Sequence, residues 1–240
     1  VTLKFSNTDV EQSFINVLCY GEAGVGKTKL IGTAPRPLIL NAEGGLLSLR
    51  GAKITSITIK TRKDIDDVYD WLSLSKEAKI FKTICIDSLS EVAEVLLSSE
   101  LKETKDPRKA YGVMASEMAV MIRGFRDLPF HTYFTAKTKK IVDEESGAIS
   151  YIPAVPGQSL LNSLPYFFDE VLMLDVAKTK AGVTYRYLKT VADHQYIAKD
   201  RSGRLDPKEP ADLTKLFKKI SPILAKPVVK KKAAKSAKAT

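Results

Sequence analysis

Eight residues near the start of the chain, GEAGVGKT from Gly21 to Thr28, satisfy the spacing G-x-x-x-x-G-K-[ST]. Glycines at these positions let successive backbone N–H groups turn inward toward phosphate oxygens. A lysine at the sixth step can reach the β- and γ-phosphates of a nucleoside triphosphate, and the hydroxyl after it can ligate Mg²⁺. Candidate nucleotide contacts therefore run over Gly21, Glu22, Ala23, Gly24, Val25, Gly26, Lys27, Thr28 and Lys29. Two carboxylates are placed to complete the chemistry. Asp87 closes the apolar run TICID, where it can hold a magnesium ion at the carboxyl end of a strand; it can equally cap the helix that follows, since Asp-Ser is a capping pair. Glu43 follows the run PLILNA, where it can polarise an attacking water or stand as an exposed turn acid before Gly44 and Gly45. Lys199 and Arg201 in AKDRSGRL are two residues apart and share a side if the segment is extended; two adjacent cations repel unless an anion lies between them, or both are solvated in a turn.

Other constellations are missing from the sequence. His131 and His194 are far apart and have no cysteine partners at zinc-binding spacing. Cys19 and Cys85 both sit inside apolar runs, as buried core thiols do, and fit a cytosolic chain.

The elements that must position these residues alternate along the chain. FINVLCYG feeds a strand into the glycine loop, and TKLIGTA starts a short helix that ends before Pro35. PLILNAE, ITSITI, KTICIDSLS and HTYFTAK read as further strands. Ile65, Val68, Tyr69 and Leu72 mark one helical face, and EVAEVLLSSELKE is a second helix. Met114, Met118, Met121, Ile122 and Phe125 line the core face of a longer one. Downstream, KKIVDEESGAISYIP predicts a hairpin turning at Ser146-Gly147, and VLMLDVAKTKAGVTYRYLKT a second near Ala181-Gly182. ADLTKLFKKI closes with a helix showing Leu213, Leu216, Phe217 and Ile220 on one side. The expected fold is α/β: a mainly parallel sheet flanked by helices, with antiparallel C-terminal hairpin strands.

The chain of 240 residues suffices for one such domain, expected over 1–224. No apolar run reaches the length of a membrane span, and the first residues lack a basic-then-apolar signal pattern. The net charge is +10, and the last 15 residues carry six lysines and no acid. Residues 225–240 are thus a Lys/Ala-rich segment expected to be disordered, acting as a solubilising tail or attracting polyanions.

The combination and order of GEAGVGKT, NAEGG, ICIDSLS, RKAYG, PAVPG and AKDRSGRL resemble the RecA/KaiC branch of P-loop ATPases. In particular they resemble the short phage RecA-like ATPases described as phage nucleotide-binding proteins and linked to single-strand annealing recombination. The resemblance spans nearly all of the chain except the tail. It implies a RecA-like core and an ATP- and Mg²⁺-dependent ATPase in the bacterial host cytoplasm. It also implies as partners single-stranded DNA, further copies of the same chain in a ring or filament, and a phage single-strand binding protein. Within it, Glu43 corresponds to the catalytic glutamate and Asp87 to the Walker B acid, with Ser88 and Thr135 as sensors. Lys199 and Arg201 correspond to a pair that reaches the γ-phosphate of the neighbouring subunit. The chain departs from the branch in having Thr135, Ala136 and Lys137 where an amide is common, and Asn41 where an acid is common.

DNA-facing loops would be 102–112, offering Lys102, Lys105, Arg108, Lys109 and Tyr111, and the segment with Lys137, Lys139 and Lys140. Lysine-rich loops are also simply solvated, and VDEES in the first hairpin is acidic. Two other functions use the same motifs: an ATP-gated clamp or loader that recruits partners with little hydrolysis, and a ring-forming helicase-type motor. A small-molecule kinase lacks a recognisable lid or acceptor pocket.

Overall fold

A computed structural model of the protein describes residues 14–221. The readings of the first 13 residues and of the basic tail lie outside the described residues. The chain runs β1 (Asn16–Tyr20), α1 (Lys27–Ile31), β2 (Pro37–Asn41), β3 (Thr55–Thr58), α2 (Arg62–Leu74), β4 (Thr83–Asp87), α3 (Leu89–Glu103), α4 (Pro107–Asp127), β5 (His131–Val142), β6 (Ile149–Ala154), α5 (Gln158–Ser163), β7 (Glu170–Lys178), β8 (Thr184–Lys189), β9 (Lys199–Asp200), β10 (Lys208–Pro210) and α6 (Leu213–Ile220).

The sheet has the order β10-β8-β7-β1-β5-β4-β2-β3, with β6 added on β5 and β9 on β7. The strands from β7 to β3 are parallel; β6, β8, β9 and β10 are antiparallel to their neighbours. Parallel strands covered on both faces must be apolar throughout, because alternate residues go to opposite sides. β1 shows this directly. Leu18 and Tyr20 join the core under α2, α3 and α4, whereas Val17 and Cys19 join the core under α1 and α6. Cys85 faces the second core with Cys19, and both thiols are fully buried, which pushes each pKa up. His131 is also structural. Its Nδ1 accepts the Ile15 N–H at 3.1 Å, its ring stacks on Phe217, and burial lowers its pKa to about 4.

Four of these six helices start at side-chain caps. Thr61 and Asp64 form a reciprocal capping box at α2, and Ser88, Asp106 and Asp212 cap α3, α4 and α6. Both hairpins turn where expected: the Gly147 N–H donates to the Asp143 carbonyl, and the Gly182 N–H to Thr179. One expectation changes. The stretch 102–112 is mostly helix rather than loop, because Asp106 caps α4 and Pro107 occupies its first position. Arg108, Lys109 and Tyr111 therefore stand on the first turns of α4, Lys102 on the last turn of α3, and Lys105 between the two helices.

Candidate nucleotide site

The glycine loop leaves β1 at the carboxyl edge of the sheet and enters α1 at Lys27. Two glycines are sterically required. A Cβ at Gly21 would meet the Leu174 carbonyl oxygen at 2.6 Å, and Gly26 has φ of 110° with a neighbour 2.8 Å from where its Cβ would be. Among the described residues, no protein acceptor takes the N–H groups of Gly24, Gly26, Lys27 or Thr28. The cradle therefore retains the donors that a polyphosphate needs. The Lys27 ammonium folds back across it onto the carbonyls of Gly21, at 2.6 Å, and Glu22, at 3.0 Å. Burial lowers its pKa, opposed by the negative charges of Glu43, Asp87 and Glu22.

Asp87 is nearly inaccessible, at 2% exposure, and its peptide to Ser88 is cis. Its Oδ2 accepts the Thr28 hydroxyl at 2.8 Å and its Oδ1 accepts the Thr135 hydroxyl. A hydroxyl and a carboxylate meeting at the mouth of a phosphate loop are hard oxygen donors of the kind Mg²⁺ takes, alongside phosphate oxygens. Among the described residues there is no cluster of three or more His, Cys, Asp or Glu suited to a metal. An ion held here would take its remaining ligands from the nucleotide and water. The backbone carbonyl of Asp87 also accepts the N–H groups of Ala42 and Glu43, at 2.8 and 3.1 Å. This fixes the turn that carries Glu43, and Asn41 Oδ1 tightens it by accepting the Gly44 N–H at 2.9 Å. Glu43 itself is exposed, and its charge acts on both Lys27 and Lys137.

The two expected sensors differ. Ser88 is buried and its hydroxyl caps α3 by accepting the Glu91 N–H, so the capping role is real for Ser88, whereas Asp87 faces the loop. Thr135 is fully buried, and its hydroxyl donates to Asp87 Oδ1 with the Ile86 carbonyl 3.5 Å away. Two residues further along β5, Lys137 ion-pairs with Glu91, and the exposed Lys139 and Lys140 extend along an arm formed with β6. The base of that arm is pinned by Ser90, whose hydroxyl accepts the Lys137 N–H at 3.0 Å and donates to the Ala154 carbonyl at 2.6 Å.

Lys199 and Arg201 lie at the other end of the sheet. β9 pairs with β7 at Glu170 and Val171, and Glu170 is level with Val17 at the start of β1. That is roughly 13 Å of strand from the loop. Lys199 donates to the carbonyls of Pro165 and Phe168, and Arg201 donates to Asp169 Oδ1 at 2.8 Å. Burial and the neighbouring Arg201 hold the Lys199 pKa below its usual value. Beside them Glu170 is fully buried, and burial together with Asp200 raises its pKa to about 8. A carboxyl raised in the folded state stabilises the fold fully below its unfolded value near 4.5, and that contribution is lost as pH rises through 8. The melting temperature should therefore fall between about pH 5 and pH 8, and Glu170→Gln, neutral at every pH, should flatten the decline. An unchanged slope in thermal melts across that range would remove the assignment.

Sequence reasoning missed two residues, Ser90 and Arg186, and the partner of Thr135. Ser90 and the hydroxyl pairing of Thr135 depend on strand order, and Arg186 reaches the loop from β8, its Nε donating to the Val25 carbonyl at 2.6 Å. A lone arginine within a hairpin strand gives no pattern to read.

No helix among the described residues is long and apolar enough to cross a membrane. No curated protein matches the chain. Among models of protein families, that of the AAA domain matches residues 13–202, which takes in the phosphate loop, Glu43, Asp87, the β5–β6 arm and Arg201. The chain therefore belongs to this AAA domain family and is a nucleotide-binding P-loop ATPase.

Proposed function

We propose that the protein is a RecA-like, Mg²⁺-dependent ATPase that couples its nucleotide state to single-stranded DNA in phage recombination or annealing, through active sites shared between copies of the chain. The observation that carries the coupling is β5. One continuous strand holds Thr135 against Asp87 and, from two residues later, presents Lys137, Lys139 and Lys140 on the arm. Lys137 and Lys139 share one side of this ribbon and Lys140 takes the other, and cations along an exposed ribbon suit a phosphodiester backbone; Tyr111, 41% exposed beside Gly157, offers a ring for stacking.

At the site, the free loop N–H groups and Lys27 hold the β- and γ-phosphates of ATP. Thr28 and Asp87 would hold Mg²⁺, which supplies charge neutralisation on those oxygens when bound. Glu43 orients a water and accepts its proton as the water oxygen bonds to the γ-phosphorus and the bond to the ADP oxygen breaks. Lys199 and Arg201 stand too far from their own loop to share in this, which supports a role on a neighbour's nucleotide.

The test is ATP turnover with and without single-stranded DNA across protein concentration. Turnover per subunit should rise with concentration and rise again with DNA. A rate indifferent to both would contradict the proposal.

A further inference from the structure

Arg186 reaches the phosphate loop from β8, and its role there rests on the nucleotide reading of that loop. Arg186 stands in β8 opposite Val176 of β7 and is exposed. Its guanidinium lies along the last glycine of the loop: Nε, Cδ and Cζ are 2.8, 3.2 and 3.6 Å from where a Gly26 Cβ would be. Any side chain at position 26 would displace it. One of its five N–H donors goes to the Val25 carbonyl, and among the described residues no protein acceptor takes the Nη donors. Asp175, next to Val176 on β7, is not its partner; that carboxylate takes the Tyr187 hydroxyl at 2.8 Å.

Arg186 brings a second cation to the loop, and among the described residues no carboxylate pairs with it, so an anion held there is a favourable partner. The loop already collects one. Guanidinium geometry suits phosphate oxygens, and an arginine anchored through Nε presents both Nη groups with little rotamer freedom left to lose. We infer that Arg186 is a phosphate-contacting residue of its own subunit's nucleotide site, donating from Nη to the bound polyphosphate while Nε holds the loop.

The test is the affinity for a non-hydrolysable ATP analogue by calorimetry, with a thermal melt of each variant to confirm folding. Arg186→Ala should weaken binding about tenfold, the size of one charge-assisted hydrogen bond. Arg186→Gln retains an N–H for the Val25 carbonyl but no charge, and should stay weak; Arg186→Lys should recover most of the loss. Arg186→Gln binding as wild type would show the arginine to be a brace for the loop and overturn the inference, as would an unaffected Arg186→Ala. A wild-type protein that failed to bind the analogue would instead sink the nucleotide reading, and this inference with it.

Discussion

A Lys27→Ala protein should fold normally and lose ATP hydrolysis, with turnover reduced on the order of 10³-fold or more. The size follows from what the ammonium does in the loop. It rests on two carbonyl oxygens, those of Gly21 and Glu22, which an incoming phosphate replaces with far stronger partners. Burial has already lowered its pKa, so part of the cost of removing water from this charge is met by the fold before ATP arrives. Folding should survive because the side chain makes no bond outside the loop and contributes nothing to either core. A melting temperature near that of wild type, with ATP turnover at background, is the expected pair of results. Normal turnover in this variant would remove the chemistry assigned to GEAGVGKT.

Arg201→Ala should reduce hydrolysis by a similar order, about 10³-fold, the lower end of what a charge-stabilising arginine supplies to phosphoryl transfer, while leaving nucleotide binding intact. The distinction between the two variants is spatial. Lys27 sits at the carboxyl edge of the sheet and Arg201 at the amino edge, where its partner Asp169 takes the Asn16 N–H and side-chain amide. An arginine there cannot lower the affinity of its own loop for ATP by its removal. Nucleotide affinity measured beside turnover checks this: lost affinity in Arg201→Ala would mean that the variant disturbs the sheet rather than a transition state.

Much of this was legible in the sequence, for physical reasons. Strands buried on both faces are mainly apolar runs, so β1, β2 and β4 announced themselves, and a glycine loop between such a run and a helix has few other uses. Hairpin turns need positive φ, and Gly147 and Gly182 marked both. What was hidden depends on distance along the chain. Nothing in HTYFTAK says that β5 inserts between β1 and β4, yet that placement turns Thr135 onto Asp87 and pins Lys137 at Ser90. The two residues of β9 and three of β10 are too short to show a period. The stretch 102–112 carried its answer in Asp106-Pro107, a helix start whose signal the surrounding lysines obscured.

The shared site is the central claim, and mixing two inactive proteins tests it most directly. If Lys199 and Arg201 act across a heterologous interface, a Lys27→Ala subunit can lend its intact arginine to the intact loop of an Arg201→Ala subunit. An equal mixture, assembled together, should then recover about a quarter of wild-type turnover, since that fraction of random interfaces pairs a sound loop with a sound arginine. A mixture as inactive as its two components would contradict the account.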